Sequence, residues 1–147
     1  MTETITRLRQ TLMLLEKEAL HLDAVAHRLF PQNAPLSVPD LQGLLATPEG
    51  VDRLESFVGK FSRMQDTLVD KLLPRFLQAV GEQPGTALDN LHRLERLGLL
   101  RDPDQWIAMR HLCNRLVHEY VDDPAELAPA LETARQTAAE LLGPTER

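Results

Sequence analysis

Between Met109 and Tyr120 the chain gathers the side chains best suited to handling a phosphodiester: Arg110, Asn114, Arg115, His118 and Tyr120. At helical spacing Arg110, Asn114 and His118 are successive i, i+4 neighbours and line one stripe. Met109, Cys113, Leu116, Val117 and Tyr120 fall on the opposite, apolar side. An imidazole with an unperturbed pKa of ~6.5 can move a proton or orient a phosphate near neutral pH. A guanidinium neutralises the charge that builds on a phosphorane, and an Asn carboxamide can hold a 2′-hydroxyl or a water. That chemistry needs side chains only, with no metal or other cofactor. The plainer alternative is a half-buried His, hydrogen-bonded near a helix C-terminus, among surface arginines. Cys113 lies on the apolar face and reads as a small core residue rather than a nucleophile.

The run Asn114-Arg-Leu-Val-His118-Glu-Tyr120 resembles the signature helix of the HEPN superfamily, and most closely that of the HepT-like toxins paired with MNT-type nucleotidyltransferases. The family pattern is Arg, a polar residue that is often Asn, three residues, His, one residue, Tyr. Asn114, His118 and Tyr120 match in register. The Arg slot, position 113, holds Cys, and Arg110 and Arg115 flank it as stand-ins. The resemblance implies a helical bundle acting as a metal-independent endoribonuclease on an RNA substrate. It also implies a homodimer whose signature helices face each other across a cleft, with the paired His118 residues in one composite site. It implies that Tyr120 is the residue to which a partner nucleotidyltransferase adds AMP, silencing the toxin. The alternative is a catalytically inactive HEPN-like module that binds a nucleotidyltransferase or a nucleotide.

A different chemistry also has candidates. Glu18-Ala-Leu-His21 has the Glu-x-x-His spacing of di-iron bundles, and Asp89-Asn-Leu-His92 is a similar pair. Such a site needs further carboxylates from other helices, for which Glu55 and Asp66 are candidates. Glu18 and His21 flank the apolar seam of their helix, and charged residues at these spacings are common.

Composition narrows the class. With 147 residues, 43% hydrophobic and 26% charged, the chain has the length and composition of one soluble globular domain. A net charge of -6 argues against a general nucleic-acid binder, although Arg93, Arg96, Arg101, Arg110 and Arg115 are close enough in sequence to form a local basic surface. One cysteine excludes an intrachain disulfide and suits a reducing cytosol. No signal peptide and no run of the ~20 apolar residues needed to span a bilayer is visible, so the expectation is a cytoplasmic protein without membrane partners.

The elements that must position these residues are helical. Ile5, Leu8, Leu12, Leu15, Ala19, Leu22, Ala26 and Leu29 alternate spacings of three and four and predict one helix over 2–29; Leu14, Leu20 and Val25 widen its stripe. Ser37 caps a short helix from about 38 to 46. Thr47-Pro48 starts the next, carrying Val51, Leu54, Val58, Phe61, Leu68 and Leu72, with Gln65 interrupting the seam. Pro74 should kink or split it before the pattern resumes at Phe76. Thr86 caps a helix that ends at Gly98. Asp102-Pro103 opens the signature helix and Asp123-Pro124 the last one, where Pro129 delays the regular start. The sum is an all-α, up-and-down bundle of four to five main helices in a single domain over 1–147, with a frayed tail from about 143.

Overall fold

The computed structural model describes residues 2–118 and 123–142. Seven α-helical segments follow one another, with no strand among the described residues: α1 (Thr2–Leu29), α2 (Val38–Leu45), α3 (Pro48–Asp66), α4 (Leu73–Ala79), α5 (Ala87–Arg96), α6 (Pro103–His118) and α7 (Pro124–Leu142). A π-helical turn, Thr67–Leu72, joins α3 to α4. No helix among the described residues is long and apolar enough to cross a membrane.

Local signals start and stop these helices. Ser37 accepts from the Asp40 N–H at 3.1 Å while the Asp40 carboxylate accepts from the Ser37 N–H at 3.0 Å, a reciprocal cap that holds the Asp40 carboxyl below its ordinary pKa. Thr86 and Asp89 repeat the device on α5. Gly98, at φ 78°, ends α5: the Leu99 N–H reaches back to Leu94 O and the Gly98 N–H to Glu95 O.

The core is layered around α3, which packs on α1, α2 and α6. Phe57 is fully buried, meets Phe30 edge-on at 5.3 Å between ring centroids and stacks on Phe61 at 5.9 Å. Leu127, Leu131, Ala134 and Ala138 bring α7 into the same core, and Met109 and Cys113 bring in α6.

The α2–α3 corner depends on Gly50. A Cβ there would lie 1.9 Å from the Leu44 carbonyl oxygen, a collision with backbone that no rotamer relieves. Gly50→Ala should therefore force the two helices apart and cost about 1–3 kcal/mol, read as a lower urea midpoint at unchanged helicity.

Two expectations change, and a third, at Pro74, takes a specific form. The buried stripe of α1 runs through Thr11, Leu22, Val25 and Leu29, with Leu8, Leu15 and Glu18 half-buried, whereas Ile5, Leu12 and Leu20 are exposed. Polar partners explain the rotation of the stripe: Arg75 donates to the Thr11 hydroxyl, and the Thr67 hydroxyl donates to Glu18 at 3.0 Å. At Pro74 the expected split takes the form of a change of register: the α-form of α3 gives way to π just before it, with Leu73 N–H donating to Leu68 O, and α4 carries Pro74 in its first turn. A proline ring collides with the carbonyl four residues back, and a wider turn moves that carbonyl away. Pro129 does not delay α7, which begins at Pro124 and carries Pro129 inside it at the loss of one ladder bond.

Candidate functional site

Helix α6 positions the motif, and its two faces divide as the spacing predicts. Met109 and Cys113 are buried, while His111, Asn114 and Arg115 are exposed. Asn114 and Arg115 lie respectively four and three residues before position 118, so both precede it by one turn. Position 118 closes α6. The His118 side chain and the whole of Tyr120 lie outside the described residues.

The two candidate arginines have different surroundings. Arg110 donates to Asp70 at 3.0 Å, lies 3.7 Å from Asp66, and its side chain is only 24% exposed. It ties α6 to the π turn and the end of α3, and its charge is offset by two carboxylates. Arg115 is 54% exposed and, among the described residues, has one loose partner, Glu126, at 3.8 Å. A pair that open to solvent is worth little and breaks readily. Among the described residues Arg115 is thus the less engaged of the two candidate arginines. The local basic surface is weaker than its arginine count implies, because Arg93 is also engaged, by Glu82 at 3.1 Å and by the Gln83 carbonyl at 2.7 Å.

Cys113 is 2% exposed, and burial, with a smaller contribution from Asp66, pushes its thiol up to about 12. It is therefore a core residue and not a thiolate nucleophile. The folded value lies above the ordinary 9.0, so the thiol's contribution to stability is complete below pH 9 and is lost as pH rises towards 12. Native protein at pH 8 should resist iodoacetamide and label fully in denaturant; mass spectrometry of the intact chain reads both.

The residues weighed for a metal do not converge. Glu18 accepts from Thr67, His21 is exposed, Asp89 caps α5, and His92 faces Glu95 at 3.6 Å. Among the described residues no three His, Cys, Asp or Glu side chains are grouped to hold an ion.

Among the described residues, two of the cavities lie away from Asn114 and Arg115. The larger, about 260 Å³, has Phe30, Phe57 and Ala138 among its walls, and the Arg135 on its edge is engaged by Glu132 at 2.7 Å and by Asn33. The smaller, about 100 Å³, opens between α3, α6 and α7 and includes Gln65 in its wall. Gln65 is 1% exposed, yet among the described residues neither its Nε2 nor its Oε1 has a hydrogen-bond partner. Each such atom costs about 1–3 kcal/mol relative to a satisfied one. The sequence marks Gln65 as a break in an apolar seam; only the packing shows that both ends of its amide are buried. No protein-family model, curated protein or solved structure matches the chain.

Proposed function

We propose that the chain is a HepT-like HEPN component that cleaves RNA without a metal, using Asn114 and Arg115, which are exposed on α6, together with His118. The observation that supports this most is the placement of Asn114 and Arg115, exposed one turn before position 118, with Arg115 only loosely held. In this reading Arg115 takes the role of the family's missing Arg. Arg110, held by Asp66 and Asp70, fastens the helix. The resemblance supplies the rest of the proposal: a homodimer through α6, and a nucleotidyltransferase partner that modifies Tyr120.

A specific observation favours a second reading. Position 113 is buried, so the family's Arg slot faces the core here and not a phosphate. On that reading the chain is an inactive module that binds a nucleotidyltransferase or a nucleotide through the same face.

Purified protein incubated with single-stranded RNA separates the two. Cleavage should persist in EDTA and fall at least about tenfold in Arg115→Ala, while Arg110→Ala should keep activity and lose no more than about 1 kcal/mol of stability. Cleavage abolished by EDTA would sink the metal-free mechanism. A wild type that never cleaves but binds a nucleotidyltransferase would establish the second reading.

A further inference from the structure

The cavity between α3, α6 and α7 has the chemistry of a pocket for one neutral planar ring. Its lining runs from buried Gln65 and Met109, through half-buried Trp106 and Thr137, to exposed Gln105 and Glu140. Among the described residues no Lys, Arg or His lines it, and Glu140 stands among the exposed ones. A phosphate or carboxylate is therefore disfavoured. A cation would gain from Glu140 but would leave the Gln65 N–H groups unmatched.

Gln65 decides the class of ligand. Its carboxamide offers a donor and an acceptor side by side, both buried and both without a partner among the described residues. A group that satisfies both at once presents the complementary pair on one edge, as nucleobases do. Trp106 supplies indole surface of the kind on which unstacked bases rest. At about 100 Å³ the space is far below the ~300–1,000 Å³ of pockets for drug-sized ligands, which selects a single ring. Thr137 already donates its hydroxyl hydrogen to the Thr133 carbonyl, so towards the cavity it acts as an acceptor. Glu140 is an acceptor as well. Surplus acceptors beside one amide call for a base with an exocyclic amine.

We propose that this cavity binds cytosine from a single-stranded RNA, with the amine and the ring nitrogen next to it paired to the Gln65 carboxamide. The inference rests on the RNA-directed reading for the polymer to which the base belongs; base binding itself does not require cleavage. Trp106 lies eight residues before Asn114 on the same helix, about 12 Å along its axis, so one strand can reach both places.

Proton–nitrogen NMR of the full chain with cytidine, uridine and the trinucleotide rCrCrC tests it, scored without any cleavage assay. The Gln65 side-chain amide and the Trp106 indole N–H should shift saturably with cytidine and with the trinucleotide. Uridine, which lacks the amine, should bind about tenfold more weakly. Gln65→Leu, close in volume and free of the unpaired atoms, should fold and lose cytidine binding at least about tenfold; Trp106→Ala and Glu140→Gln provide the same reading if it does not fold. Gln65 amide protons that exchange with cavity water and ignore cytidine at millimolar concentration would overturn the proposal, since water alone would then satisfy the amide. Equal response to uridine would overturn the choice of base, and cytidine binding with the trinucleotide excluded would overturn the polymer. RNA cleavage with a silent cavity would remove this inference and leave the catalytic reading standing; cytidine binding without cleavage would do the reverse.

Discussion

Cys113→Arg should unfold the protein rather than restore a catalytic arginine. The wild-type side chain is 2% exposed between α6 and the core. Arg is far larger, and overpacking alone costs about 1–3 kcal/mol. A guanidinium placed there without an arranged partner adds several kcal/mol of desolvation. Asp66 is near enough to influence the Cys113 thiol, but it already faces Arg110 at 3.7 Å. The sum is a large share of the ~5–15 kcal/mol that holds a domain of this size. Circular dichroism in urea should show Cys113→Arg without a cooperative transition at 25 °C, beside a Cys113→Ala variant that keeps one. A folded Cys113→Arg that cleaves RNA faster than wild type would mean that position 113 can turn to solvent, and that the family's slot is functional here.

His118→Ala should produce the largest functional change. If the imidazole moves a proton during phosphodiester cleavage, its removal should slow cleavage by about 10²–10⁴-fold. If the imidazole serves the reaction and not the core, folding should hardly respond, because a surface substitution normally stays within about 0.5 kcal/mol. The measurement is the initial rate on single-stranded RNA in EDTA, paired with a thermal melt. Undiminished cleavage by the variant would refute the site. A large fall in melting temperature with proportionate loss of activity would instead assign His118 a structural hydrogen bond.

The two variants lie on one helix, and that helix shows how much of the candidate site was legible in residue order. Buried Met109 and Cys113 and exposed Asn114 and Arg115 follow directly from a period of 3.6 residues. Spacing alone could not separate Arg110 from Arg115. Their distinction comes from Asp66 and Asp70, which reach α6 from another helix and the π turn. An ion pair between residues 40 positions apart leaves no local periodic trace.

The sequence by itself determined the helical class and most helix boundaries, because caps, prolines and terminal glycines act within a few residues of where they stand. Ser37, Thr47, Thr86 and Gly98 each do in the structure what their local context requires. Only the tertiary structure decided which residues of α1 face inward. Thr11 and Glu18 are drawn in by Arg75 and Thr67, and Leu12 and Leu20 are left outside. Likewise, only packing turned Gln65 from a break in a seam into a buried amide against a cavity. Burial of a polar group depends on what stands opposite it, and that is set by contacts between helices distant in sequence.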